Sequence, residues 1–174
     1  MREVKGAVFN TDSIMQVDHG LIDVIKTRAL ESSSGRFRMC LHHCESEPVQ
    51  QMIIAHRRAN YSRPHRQDAS KLYVLLEGQL VVQVFDDDGN PTNRIVMNTD
   101  DIGIPFCVRL VPGCWHTTFA VSSMAVVCEV IGAANPCGSL TEHAEWAPAE
   151  DADPHVIKAY LDKLDLPGFT PHAC

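Results

Sequence analysis

Long apolar runs are missing from this 174-residue chain. Its apolar stretches reach about five to eight residues, against the roughly 20 that a bilayer crossing needs, so no membrane-spanning helix is expected. The opening MREVKGAVFNTDSIMQ has neither an apolar core nor a small-residue cleavage site, which argues against a secretory signal. Basic charge is scarce: 15 Lys and Arg against 22 Asp and Glu give a net charge of −7. That balance argues against a protein built to grip nucleic acid or acidic lipid, although it leaves room for a local basic site. No glycine-rich phosphate loop and no alternation of strands with helices is present, so no nucleotide cofactor is expected. Internal repeats are absent as well. Cysteine is present without forming a framework. The seven residues (Cys40, Cys44, Cys107, Cys114, Cys128, Cys137 and Cys174) are odd in number and irregular in spacing, and a chain of this length needs no staples. A reduced, cytoplasmic protein is the expectation, with any disulfide through Cys137 or Cys174 an artefact of storage or assembly.

What the chain does contain is the composition of one folded domain, 45% apolar and 21% charged. Asp18 is placed to cap a helix over 19–32, where Leu21, Val24, Ile25 and Arg28 recur at helical spacing and Ser32-Ser33-Ser34-Gly35 ends the run. The next hundred residues change rhythm. Segments 36–41, 49–56, 71–85, 94–97, 107–110, 116–120 and 125–132 are short runs rich in Val, Ile, Leu and Phe. Gly, Pro, Asp and Asn punctuate them every eight to twelve residues or so, which predicts an antiparallel sandwich or barrel. Asp86-Asp87-Asp88-Gly89-Asn90 reads as a solvated hairpin tip, because a calcium loop's regular ligand spacing and distal Glu are absent. After Ile131 the chain turns rich in Ala, Pro and Glu, with Trp146 as an anchor. Asp153-Pro154 then opens a helix over 155–164, with Val156, Tyr160 and Leu164 on one stripe. The expected organisation is an N-terminal extension and helix over 1–35, a barrel over 36–132, and a tail over 133–174 packed on the barrel near its mouth.

Three places gather polar residues among the strands. In Tyr61-Ser62-Arg63-Pro64-His65-Arg66-Gln67, His65 and Gln67 face one way if extended, and Lys71 opens the next strand. In Gly113-Cys114-Trp115-His116, a glycine turn delivers His116 to the start of a strand, while Cys114 is a weaker candidate for a nucleophile or mouth residue. In Cys40-Leu41-His42-His43-Cys44, the outer cysteines share one strand face with His42. They would stand roughly 13 Å apart there, too far to ligate one zinc, so they read as apolar fillers. Arg36, Arg38, Arg57, Arg58, Arg63 and Arg66 form a locally basic set able to steer an anionic metabolite. Taken singly, each histidine reads as a satisfied structural residue.

The order His65-x-Gln67-x3-Lys71-x6-Gly78, an acidic hairpin, then Gly113-x2-His116 resembles the two signature motifs of the cupins. More closely, the chain is similar to WbuC-type cupins over about residues 20–165. The likeness is carried by Arg36-Phe37-Arg38, Leu41-His42, Glu47-Pro48-Val49-Gln50, Met52-Ile53-Ile54-Ala55, Tyr61-x2-Pro64-His65, Phe85-Asp86-Asp87-Asp88-Gly89, Gly113-x-Trp115-His116-Thr117 and Trp146-Ala147-Pro148. The resemblance implies an all-β, double-stranded β-helix (a jelly-roll barrel) with a buried site at one mouth, an N-terminal helix and a C-terminal helical tail. It also implies that His42 orders the sheet or the pocket wall. Cupins of this kind hold a divalent metal with two histidines and a glutamate from the first motif and a histidine from the second. Here His65 and His116 stand at the outer positions, Gln67 replaces the second histidine, and Lys71 replaces the glutamate.

Two chemical readings follow. In one, Mn, Fe, Ni, Co or Zn is bound by His65, Gln67 and His116 with Lys71 turned away. In the other, no metal is bound and Lys71 holds a carboxylate, phosphate or developing enolate. His65 or His116 then moves the proton, and Tyr61 adds a hydroxyl if its ring points inward. A desolvated Lys71 acting as base or forming a Schiff base is a variant of the second. The expected function is an enzyme of isomerase, epimerase or lyase type on a small anionic or carbonyl-bearing metabolite. The WbuC likeness, associated with surface-polysaccharide genes, suggests a sugar or sugar nucleotide. The alternatives are a metal-dependent cupin such as an oxygenase, and a non-catalytic ligand-binding cupin. A homodimer is the expected assembly.

Overall fold

The computed structural model describes residues 2–4, 7–58, 60–132 and 141–164. Among them the strands, in chain order, are β1 (Arg2–Val4), β2 (Ala7–Phe9), β3 (Arg36–Cys40), β4 (Val49–Arg57), β5 (His65–Gln67), β6 (Ser70–Glu77), β7 (Gln79–Phe85), β8 (Pro91–Asn98), β9 (Cys107–Leu110), β10 (Trp115–Ala120), β11 (Met124–Gly132) and β12 (Thr141–His143). The helices are α1 (His19–Glu31) and α2 (Pro154–Lys163). A seven-stranded sheet runs β1-β2-β3-β4-β11-β6-β9, and a five-stranded sheet runs β12-β5-β10-β7-β8. Every pairing is antiparallel except the parallel β2–β3 pair. The two sheets close over one apolar interior as a jelly roll. Leu80 and Val82 of β7 and Met97 of β8 meet Leu75 of β6, Val127 of β11 and Ile54 of β4 there. Period-2 alternation sends these side chains inward.

Each sheet also has a covered outer face. Helix α1, capped by Asp18 accepting from the Leu21 amide at 2.8 Å, lays Ile22, Ile25 and Ala29 on Phe37, Met39, Ile53, Ala55 and Val126. The buried stripe therefore runs through Ile22 and Ala29, whereas Val24, expected on it, is 55% exposed. Ala144, Ala147, Leu161 and Leu164 cover Val81, Phe85, Trp115 and Phe119 on the five-stranded sheet. Val156 of α2, also expected to pack, faces out. The Arg94 guanidinium donates to the Leu164 carbonyl and ties the end of this helix to β8.

Three local expectations are corrected. The run 71–85 is two strands, because Gly78 turns the chain at φ 80°, where an added Cβ would lie 2.3 Å from the Met124 carbonyl oxygen. Strand β3 ends at Cys40, so Cys40, His42 and Cys44 share no strand face. Beyond it, His42 folds back so that its Nδ1 lies 2.9 Å from the Gln51 carbonyl. Strand β12 was not expected, whereas the N-terminal extension forms β1 and β2 and the segment read as extended at His65–Gln67 forms β5. The acidic hairpin tip is as read: Asp86 Oδ1 accepts from the Asp88 and Asn90 amides, and β7 pairs with β8. The described thiols, Cys40, Cys44, Cys107, Cys114 and Cys128, are free. Cys137, Cys174 and the segments 133–140 and 165–174 lie outside the described residues. No helix among the described residues is long and apolar enough to cross a membrane.

Candidate functional site

Four strands from both sheets meet at one end of the barrel. On β6, Lys71, Tyr73 and Leu75 alternate inward. On β11, Val127, Glu129 and Ile131 do the same, and the register sets Glu129 opposite Tyr73 and Ile131 opposite Lys71. From the other sheet, β5 and β10 pair His65 with His116, their ring centroids 4.6 Å apart. The convergence point is Lys71, 3% exposed, whose Nζ donates to Glu129 Oε1 at 2.8 Å and to His65 Nε2 at 3.1 Å. Behind it the Tyr73 hydroxyl donates to His116 Nε2 at 3.2 Å.

The tautomers follow from the backbone. His65 Nδ1 lies 3.0 Å from the Arg63 carbonyl and His116 Nδ1 lies 2.9 Å from the Cys114 carbonyl. A carbonyl accepts only, so each Nδ1 carries the proton and each Nε2 presents a lone pair. Burial, then the charge of Lys71, hold the His116 imidazole down at about 4. Burial, then Lys71 and His116, hold His65 well below its ordinary value. Both rings are neutral at neutral pH. Burial alone would raise Glu129, but the Lys71 charge and hydrogen bond outweigh it and keep the carboxyl ionised. Burial, then the Glu129 charge, push the Tyr73 phenol well above its ordinary value.

This cluster floors a cavity of about 330 Å³. His65, Gln67, Lys71, Tyr73 and Glu129 line it, with Arg36 and Arg38 from β3 and His143 from β12. His116 is 2% exposed and stands behind this wall rather than on it. The basic set divides: Arg36 and Arg38 face the cavity, whereas Arg66 grips Glu142 at 2.8 and 3.0 Å and lies over the Trp115 ring. Arg36 donates to Ser62 Oγ at 3.1 Å. Arg38 has no hydrogen-bond or ion-pair partner among the described residues.

The structure does not bring Tyr61 to the site. Its hydroxyl donates to the Pro148 carbonyl at 2.7 Å and its ring packs edge-on against Tyr160, outside the barrel. Burial raises the Cys114 thiol, which removes the thiolate a nucleophile needs. Gln67 lines the cavity and donates from Nε2 to Thr141 Oγ1 at 2.9 Å, while its buried Oε1 has no partner among the described residues. Two central residues, Glu129 and Tyr73, were missed. Their signal is parity: in Ala125-Val126-Val127-Cys128-Glu129-Val130-Ile131, the lone carboxylate falls in step with the inward Ala125, Val127 and Ile131.

The donor set also decides how a cupin metal would fare. The Lys71 ammonium stands on the His65 lone pair and the Glu129 carboxylate, and the Tyr73 hydroxyl occupies the His116 lone pair. No group of three His, Cys, Asp or Glu among the described residues is arranged to hold a metal ion. The set His65, Gln67 and His116 does not fit a divalent cation in this arrangement, because a fixed positive charge already holds its place.

A family model described as "Domain of unknown function (DUF6016)" matches residues 17–97. No curated protein matches the chain. Among solved structures, protein SO0799 from Shewanella oneidensis is similar at 16% identity and a TM-score of 0.51, over 68% of this chain and 79% of that one. A cupin-like protein from Thermotoga maritima is similar at 10% identity and a TM-score of 0.50, over 63% and 77%. The fold is the cupin jelly roll. Procruciferin, the 11S globulin of Brassica napus, is similar at 13% identity and a TM-score of 0.45 over 55% of this chain, which spans 22% of that protein. At these identities the likeness establishes the cupin fold alone.

Proposed function

We propose that this cupin barrel is a metal-independent enzyme acting on a small carbonyl-bearing carboxylate, moving a proton at the carbon beside the carbonyl. The observation that carries the reading is the buried Lys71, held between Glu129 and His65 on the cavity floor. An ammonium has three donors and these partners take two, so the third is available to a ligand carbonyl oxygen. With the ligand oxygen held by that donor, Lys71 turns from His65 and frees the Nε2 lone pair. The C–H bond then breaks, its proton passes to Nε2, and its electron pair forms the enolate whose oxygen Lys71 holds. The Arg63 carbonyl, accepting from Nδ1, stabilises the imidazolium so formed. Return of the proton to another face or carbon gives epimerisation or isomerisation; departure of a β-substituent gives a lyase. The depressed basicity of His65 keeps its ring unprotonated, with the lone pair on Nε2. Glu129 keeps the Lys71 charge in place, and Arg38 supplies a partner for the ligand carboxylate.

The WbuC likeness adds sugars and sugar nucleotides to the candidates, and the Gln67 Oε1, without a partner among the described residues, suits a ligand hydroxyl. The test is a panel of 2-oxo, 3-oxo, 2-hydroxy and uronic acids incubated with the protein in D2O and followed by proton NMR. Loss of one substrate's α-proton signal with the wild type, and not with Lys71→Met or His65→Gln, is the expected result. Binding without exchange would replace this reading with a ligand-binding cupin, which the mutual satisfaction of Lys71, Glu129 and His65 also favours. Elemental analysis is expected to find no stoichiometric divalent metal. Near-full occupancy that disappears in both His65→Ala and His116→Ala would overturn the metal-independent reading.

A further inference from the structure

A second cavity, of about 180 Å³, adjoins the first and is lined by the apolar Ala7, Phe9, Cys40 and Met52 and by polar residues that include Arg38 and Glu45. Arg38, Gln50 and Met52 line both spaces, so the side chains of β3 and β4 form a partition between them. The two spaces differ in chemistry. On the first side stand Lys71, Glu129, His65 and Gln67. On the second, Ala7, Phe9, Cys40 and Met52 belong to the apolar core, the Phe9 and His42 rings meet edge-on at 5.4 Å, and Glu45 is the carboxylate of the lining. The Arg38 guanidinium lies at the partition with no hydrogen-bond or ion-pair partner among the described residues. Arg36, two residues back on the same strand face, is held by Ser62 and lies 3.7 Å from Glu150.

A half-buried guanidinium without a partner is matched by a carboxylate, which its planar fork binds through two parallel hydrogen bonds. The apolar wall of Ala7, Phe9, Cys40 and Met52 offers a flat hydrocarbon group a place in a space of this volume, since an engineered cavity of about 150 Å³ takes up benzene. Glu45 in the same lining repels any carboxylate from the tail end and leaves Arg38 as its place. We propose that the second cavity is a tail subsite, and that the ligand is a carboxylic acid with an aryl or comparably sized apolar substituent. Its carboxylate sits on Arg38 at the partition, its oxo or hydroxy group faces Lys71, and its tail rests among Ala7, Phe9 and Met52. This assignment rests on the reading of the Lys71 pocket given above and fixes the substrate class that the pocket takes.

The experiment is isothermal titration of the whole chain with pyruvate, phenylpyruvate and the methyl ester of phenylpyruvate. Phenylpyruvate is expected to bind at least about tenfold more tightly than pyruvate, from the apolar area buried. Arg38→Gln is expected to weaken phenylpyruvate about tenfold or more while leaving the ester unchanged. Ala7→Leu, which fills the tail space, is expected to erase the advantage of phenylpyruvate and leave pyruvate unaffected. Should that variant not fold, saturation-transfer NMR on the wild type serves instead, with the strongest transfer expected at the aryl protons. Equal affinity for pyruvate and phenylpyruvate, with both lost in Lys71→Met, would overturn the tail subsite and leave the Lys71 reading standing. An Arg38→Gln effect of the same size on the ester would overturn the carboxylate assignment. No binding of any probe to the wild type would overturn the tail subsite together with the pocket reading beneath it.

Discussion

The two ends of this barrel are built by the same strands and hold opposite chemistry. Along β6 the inward side chains pass from Lys71 through Tyr73 to Leu75, and along β11 from Glu129 to Val127 and Ala125. On β10 they pass from His116 through Thr118 to Ala120. Backbone geometry is the same at both ends, since pleat and register alone decide which side chain points in. What differs is how burial is offset. At the dry end, Leu80, Val82 and Met97 lose water-exposed apolar area and gain by it. At the charged end the desolvation of Lys71 and Glu129 opposes folding, and their contact, with the hydrogen bond to His65, offsets the cost. The dry end is stabilised residue by residue; the charged end is stable only as a set.

That contrast is most exposed by removing one member of the set. Glu129→Ala leaves a buried ammonium without its carboxylate, and a loss of about 3–5 kcal/mol is expected in urea unfolding. Replacing both partners, as Lys71→Met with Glu129→Leu, converts the floor to the chemistry of the dry end. Stability within about 1 kcal/mol of the wild type, or above it, is expected for the pair. A single-variant cost below about 1 kcal/mol would show that the two ends do not differ in this way. At the dry end the cost is local: Met97→Ala, at a position with no exposed area, is expected to lose about 2–5 kcal/mol with no second substitution able to repair it by charge balance.

The same asymmetry explains how much could be read beforehand. The strands over 107–110 and 116–120, the Asp18 cap and the acidic hairpin were legible because each depends on neighbours within a few residues. His65, Gln67, Lys71 and His116 stood out through motif spacing. Glu129 carries a parity signal in its own strand, but its meaning depends on pairing with β6, some fifty residues away, and no local pattern states that pairing. Tyr61 and Tyr73 show the limit from both sides. The segment at Tyr61 is irregular and gives no parity, so an inward ring stood only as a condition, and its hydroxyl lies on Pro148 instead. Tyr73 lies in a regular strand, where counting by two from Lys71 points it inward. On α1, the spacing of Leu21, Val24 and Ile25 marks a helix, but the sheet beneath selects Ile22 and Ala29 over Val24.

Titration separates the ends without any substitution. Burial, then the Arg36 charge, lower His56 on the cavity wall to about 3, while His116 stands at about 4 and His65 is also depressed. In the unfolded chain these rings take protons near pH 6.5. Below that value the unfolded state binds more protons than the folded one, so stability is complete above pH 6.5 and is lost as pH falls toward 4 and 3. Each ring contributes a slope of up to about 1.4 kcal/mol per pH unit. Glu129 acts with the same sign at lower pH, since its carboxyl is held below its ordinary value. Urea unfolding from pH 7.5 to 4.5 should show this decline, and His56→Gln should reduce it by one proton's worth. A flat profile over that range would mean that the histidines are not held neutral by the fold.

The smallest expected change lies where the charged end grades into the dry one. Tyr73 sends its ring into the apolar cluster and its hydroxyl to His116. Tyr73→Phe keeps the ring and removes one hydrogen bond, so a cost of about 0.5–1.5 kcal/mol is expected. Stability alone would not distinguish this from simple repacking, but the imidazole does. The hydroxyl donates to the Nε2 lone pair and so favours the neutral ring; without it the proton competes on better terms. The His116 midpoint, followed by NMR of its ring protons, should therefore rise from about 4 in the variant. A lower midpoint would mean that the phenol was accepting rather than donating, which the Cys114 carbonyl on Nδ1 forbids unless the ring is protonated at both nitrogens.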